Sequence, residues 1–154
     1  MICTSSYKNC KDNRGVSISG DSGRSVGFVG DTYLKLAPKH DWWAHWEMIK
    51  DRLDPYESTR FYIEKYYETG LKGLDPQEVY NELDGRILLC YEEPAYFCHR
   101  HIVASWLEIK LGIRVPEVMV LGDKLYQMPR PSYVDEILMS VMGLNNNKVL
   151  VKSD

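Results

Sequence analysis

The chain has no basic excess, no apolar run of membrane length and no phosphate-loop signature, and each absence closes a class of function. Nineteen Lys and Arg stand against 22 Asp and Glu, a net charge of −3. With an isoelectric point near 5.8, this argues against general nucleic-acid binding, which draws on a strong positive surplus, although a local basic pocket is compatible with it. No stretch approaches the roughly 20 apolar residues that a membrane span needs, and the opening MICTSSYKNC lacks the apolar core of a signal peptide. Four cysteines are too few to imply a disulfide scaffold, so reduced thiols in a cytoplasm and no disulfide are expected. Low-complexity tracts and internal repeats are also missing. The glycine-rich segment 20–31 lacks G-x-x-x-x-G-K-[ST] and has the wrong spacing for a dinucleotide fingerprint.

What is present reads as one folded unit. A length of 154 residues with 44% hydrophobic composition fits a single domain with a sizeable core. The rest is organised around RILLCYEEPAYFCHRHIVASWLEIKLG, residues 86–112. Its short apolar run, residues 87–91, is bounded by Asp84-Gly85 and Pro94 and reads as a buried strand. Beyond Pro94, Phe97, His101, Ala104, Leu107 and Leu111 recur at helical spacing up to a stop at Gly112. This places Cys90 at the carboxyl end of a strand and Cys98, His99 and Arg100 in the first turn of the following helix. In open α/β sheets that edge binds ligands, and a helix amino terminus offers free N–H groups.

Elsewhere, residues 1–5, 16–19 and 118–121 read as further strands of the same sheet. Asp41 opens a helix carrying Trp42, Trp43 and Trp46. Asp54-Pro55 and Asp75-Pro76 are cap-then-proline helix starts, and a last helix covers 132–142. Residues 148–154 read as an edge strand or a frayed tail. Strands alternating with helices predict an α/β fold, a single-domain, mostly parallel Rossmann-like sheet flanked by helices. Residues 1–112 form its core and 113–154 a strand–helix extension.

The residues with chemistry concentrate near the central strand. Cys98, Cys90 and Glu92 are the candidate catalytic groups: thiols by a helix start, and a carboxylate just past a strand end. Arg100 and His99 are candidate ligand-binding groups, with Arg100 expected to hold an anion. Thr4, Ser5 and Ser6 join them if the first strand neighbours the central one. Tyr91 and Tyr96 frame the loop and could stack on a planar ligand, and Arg24 could close over it from the glycine-rich loop. The bland alternative treats the cysteines as small core residues. Cys90, Cys98, His99 and His101 are zinc-ligand types, but C-x7-C-H-x-H matches no usual structural spacing, and neighbours on a helix point about 100° apart. No metal or cofactor is therefore expected. The tryptophan cluster, flanked by His40 and His45, reads mainly as packing.

At Leu88-Leu89-Cys90-Tyr91-Glu92 and Phe97-Cys98-His99-Arg100 the chain resembles a bacterial and phage family known as domain of unknown function 488. Thr4-Ser5-Ser6-Tyr7, Leu36-Ala37-Pro38 and Tyr66-Tyr67 fall in the same order as positions of that family, so the resemblance covers about residues 1–112. It implies a small α/β fold with the cysteine-and-arginine loop as its common site, and it implies no particular reaction. The glycine-rich loop and the segment from Val115 onward depart from the family pattern.

Together these features predict a cytoplasmic protein that binds a small anionic, nucleotide-like molecule and acts on it through Cys98 or Glu92. It is not expected to bind nucleic acid generally or a membrane. One alternative is a non-catalytic sensor or sequestering protein, which needs the arginine and aromatics but no reactive thiol. The other is a Cys/His metal site or an interaction module built on the tryptophan-rich helix.

Overall fold

The computed structural model describes residues 1–144. Four parallel strands, β1 (Cys3–Ser6), β2 (Gly15–Ser17), β3 (Asp31–Thr32) and β4 (Ile87–Cys90), form one sheet in the order β1-β4-β2-β3. As expected for an all-apolar run, β4 is interior: it pairs with β1 on one side and β2 on the other, and every residue of it is buried. The parallel register aligns Ser6 with Cys90 and Ser17 with Leu89. The carboxyl ends of β1, β4 and β2 therefore open on one edge.

Side-chain alternation along β4 separates two apolar clusters. Leu88 joins a large core with Ile2, Val16 and Ile18, to which all five helices contribute. These are α1 (His40–Ile49), α2 (Pro55–Thr69), α3 (Pro76–Leu83), α4 (His99–Leu111) and α5 (Tyr133–Val141). Ile87 and Leu89 face the other way, toward Cys3, Tyr7, Cys10 and Val118. The helices thus gather on one face, and the opposite face is covered by loops and a hairpin.

That hairpin, β5 (Val118–Leu121) with β6 (Lys124–Gln127), is antiparallel. The strand expected at 118–121 exists, but outside the four-stranded sheet. It leans on β1 through a parallel bridge between Thr4 and Glu117 and through the Ser5 hydroxyl, which donates to the Val118 carbonyl at 2.6 Å. A tight turn back from β5 gives it β6 as its ladder partner.

Local chemistry sets the helix ends. Asp54 accepts from the Glu57 N–H and Asp75 from the Gln77 N–H, each at 2.9 Å, with proline opening both helices. Gly112 ends α4 at φ 66°, a left-handed conformation that residues with a Cβ avoid, and its N–H returns to the Glu108 carbonyl. The start of α4 differs from the expectation. Cys98 is the capping residue, extended at φ −155° and ψ 149°, and His99 is the first helical residue. The shortest strand, β3, emerges from the glycine-rich segment that reads as loop, and residues 34–36 form a 3-10 turn. The edge strand or frayed tail expected at 148–154 lies outside the described residues.

Two substitutions distinguish core from surface contributions. In urea denaturation, Leu88→Ala should lose about 2–5 kcal/mol, since Leu88 is fully enclosed between sheet and helices. Asp54→Ala should lose about 1 kcal/mol, the typical value of a capping hydrogen bond.

Candidate functional site

A cleft of about 1210 Å³ opens over the carboxyl edge of the sheet, large enough for a drug-sized molecule. Cys90, Glu92, Cys98 and His99 line its sheet side, with Ser19 and Asp21 from the start of the glycine-rich loop. α1 and α2 supply the facing wall, where Trp43, Trp46 and Tyr62 lie with Phe97 nearby. The aromatic wall is tightly built. Tyr62 meets Trp42, Trp46 and Phe97 edge-on at centroid distances of 4.9, 4.8 and 5.0 Å, a favoured arrangement for aromatic rings. The Trp46 indole N–H is held by the Ser58 carbonyl at 3.1 Å.

Cys90, Cys98 and His99 form the buried floor. One ligand atom from each, the two Sγ and one imidazole nitrogen, lies within 4.8 Å of the others. His99 Nε2 is 2.7 Å from the Ile18 carbonyl. A carbonyl can only accept, so Nε2 carries the proton and Nδ1 presents a lone pair. Nδ1 faces Cys90 Sγ at 3.4 Å. Behind Cys90, the Tyr7 hydroxyl donates to Ser19 Oγ at 2.8 Å, and the Ser19 hydroxyl donates to Cys90 Sγ at 3.7 Å.

The two thiols are pushed in opposite directions. Burial raises Cys90 well above the ordinary thiol value, and its contact with Cys98 raises it further. Burial opposes charge on Cys98 too, but the hydrogen bond from Cys90 and the positive charge of Arg100 favour its thiolate, and Cys98 falls well below that value. The neighbouring thiols therefore differ, the proton being held more tightly on Cys90 than on Cys98. Partial desolvation, and then the charge of Cys98, raise the Glu92 carboxyl above its usual range.

Arg100 lies elsewhere. Its side chain and that of Glu117 are wholly buried. Arg100 Nε and Nη2 donate to Glu117 at 3.0 and 2.8 Å, and Nη2 also donates to the Glu92 carbonyl at 2.7 Å. The Thr4 hydroxyl donates to the same carboxylate at 2.7 Å. His101 stands 3.8 Å from Glu117; burial and then the Arg100 charge lower its pKa to about 4, so it is neutral at physiological pH.

The cleft therefore brings together Cys90, Tyr91, Glu92, Cys98 and His99 and leaves out Thr4, Ser5, Ser6, Tyr96, Arg24 and Arg100. A single pocket joining Arg100 and the β1 hydroxyls to the cysteines is not what forms. Successive helical residues point about 100° apart, so Arg100 turns inward while His99, with the extended cap Cys98, faces the cleft. Tyr91 does meet the glycine-rich loop: its hydroxyl donates to Asp21 and accepts from Ser25. Arg24 is exposed and takes no part.

Trp43 and Trp46 belong to the site although their cluster reads as packing. Trp42 is core, whereas Trp43 and Trp46, three residues apart on α1, face the cleft. Spacing does not show this division, since Trp46 is i+4 from Trp42 as well as i+3 from Trp43 on α1.

No family model, curated protein or solved structure matches the chain, so its chemistry has to be argued from this geometry.

Arg100→Ala should destabilise the protein by about 3–5 kcal/mol in urea, because it strands a buried carboxylate. Joint replacement of Arg100 by Met and Glu117 by Leu should recover most of that loss.

Proposed function

We propose that the protein binds a small, planar, nucleotide-like molecule in the cleft, its ring against Trp43, Trp46 and Phe97 and its polar edge toward Cys90, Cys98 and His99. The observation that carries this reading is the pairing of an aromatic wall with a buried sulfur-and-imidazole floor across one cleft at the strand ends. Ligand pockets commonly combine apolar walls with a few convergent polar groups in this way. The position over the carboxyl edge of a parallel sheet supports a Rossmann-like assignment of the fold. Cys98 and Glu92 are the groups that face the bound molecule, Cys98 as nucleophile and Glu92 as proton carrier.

Charge narrows the ligand. Among the described residues, Asp21, Glu47, Asp51 and Glu92 line the cleft against one ammonium, Lys50, which already meets Glu47 at 3.2 Å. Arg100 is engaged by Glu117. A triphosphate would face like charge there, so the base and sugar supply the fit and any phosphate contributes little. Among the described residues no helix is long and apolar enough to cross a membrane. The four unpaired thiols support a reducing, cytoplasmic setting.

Thermal denaturation with a panel of nucleobases, nucleosides and nucleotides tests the proposal. At 100 times its dissociation constant a ligand adds about 2.7 kcal/mol, a rise in melting temperature of roughly 5–10 °C for a chain of this size. A nucleoside or base should produce that rise, its triphosphate a smaller one, and Trp43→Ala should abolish both. Stabilisation that grows with phosphate count, or that survives Trp43→Ala together with Trp46→Ala, would defeat the reading. Cys98→Ser should keep binding and lose turnover.

A further inference from the structure

We infer that Cys90, Cys98 and His99 form a three-ligand site for zinc, with the fourth coordination position facing the cleft. The usual objections from sequence are the unusual ligand spacing and the divergence of neighbours on a helix. The second does not apply here. Cys98 is the extended capping residue and only His99 is helical, so their side chains can converge, and both reach the same point as Cys90 at the end of β4.

Three independent features favour a metal at that point. First, the donor set is two sulfurs and one imidazole, the set found with an open fourth position in some catalytic zinc sites. Second, the spacing is close to what a tetrahedral ion needs. Zinc–sulfur and zinc–nitrogen bonds of about 2.3 and 2.0 Å imply ligand–ligand edges of about 3.5–3.8 Å. Cys90 Sγ and His99 Nδ1 are 3.4 Å apart, and the whole set lies within 4.8 Å, a gap that a modest side-chain rotation closes. Third, His99 is already oriented as a metal-bound histidine is. Its Nε2–H donates to the Ile18 carbonyl at 2.7 Å, which fixes the tautomer and directs the Nδ1 lone pair into the cluster. The Ser19 hydroxyl adds a second outer contact, on Cys90.

All three ligands line the cleft, so the remaining position is open to a water or to a donor atom of a bound molecule. Binding leaves both sulfurs as thiolates, with any proton that they still carry released to solvent. The site shares the cleft with the planar-ligand reading and would make Cys98 a metal ligand in place of a free nucleophile; its test reads metal and not ligand, so the two can fail separately.

Cobalt(II) is the probe. Full-length protein, freed of metal by chelation and titrated with cobalt, should bind one ion per chain, with intense tetrahedral d–d bands and a thiolate-to-cobalt charge-transfer band. Zinc should displace it, and added imidazole should shift the d–d bands by entering the open position. Cys90→Ser and Cys98→Ser should each weaken the charge-transfer band and lower affinity at least tenfold, while Cys3→Ser and Cys10→Ser leave both unchanged. Should either cluster variant fail to fold, the wild-type protein still decides. Zinc must protect Cys90 and Cys98, mapped by peptide mass, from alkylation. An octahedral spectrum without charge transfer, binding well below one ion per chain, or protection of Cys3 and Cys10 instead would overturn the inference.

Discussion

A guanidinium and a carboxylate shut off from water, Arg100 and Glu117, join the three parts that the site depends on. Through Glu117 the arginine ties the start of α4 to the segment entering β5, and through the Glu92 carbonyl it holds the loop leaving β4. Thr4 on β1 completes the carboxylate's partners. Neither charge would be tolerated here alone, because burial penalises an unpaired ion by several kcal/mol. The pair is consequently a constraint on where α4 sits at the end of β4. Glu108, accepting from the Val115 N–H and from Arg130, fastens the other end of α4 to the same segment.

Because Arg100 fixes the first turn of α4 from the inside, the two residues before it are fixed on the outside. Cys98 and His99 are delivered to the end of β4 beside Cys90, and α1 and α2 close the cleft with tryptophan and tyrosine. The polarity of that arrangement follows from position. The buried floor sets Cys90, whose thiol burial pushes up, beside Cys98, whose thiol is pushed down with the help of the Arg100 charge. The outer rim carries carboxylates. A molecule entering the cleft passes from an acidic mouth to a sulfur-rich base between aromatic faces.

Most of this scaffold was legible in the sequence, because it depends on local signals. The unbroken apolar run of β4 marks an interior strand, Asp-Pro pairs mark two helix starts, and Gly112 marks a helix stop. The site was legible in part. The motif around Cys98 marks a loop that lines the cleft, yet it does not reveal which way each side chain of Cys98, His99 and Arg100 points. That depends on Glu117, seventeen residues further on, in a segment with no motif of its own. Nor could spacing show that Cys98 is an extended cap instead of a helical residue, a difference of one position that decides whether it converges with His99. The division of the tryptophans between core and cleft depends on how α1 packs against α2, again a tertiary matter.

The account stands or falls on the cleft reaching the cysteines at the start of α4. The most direct measurement is the relative alkylation rate of the four thiols in the native, metal-free protein, resolved by peptide mass. All four are buried to a similar degree, so a difference among them reports access through the cleft and thiolate character, not simple exposure. The account predicts that Cys98 reacts first, well ahead of global unfolding, and that Cys3, on the covered face of the sheet, reacts only as the protein unfolds. Equal rates for Cys98 and Cys3, both limited by unfolding, would contradict it.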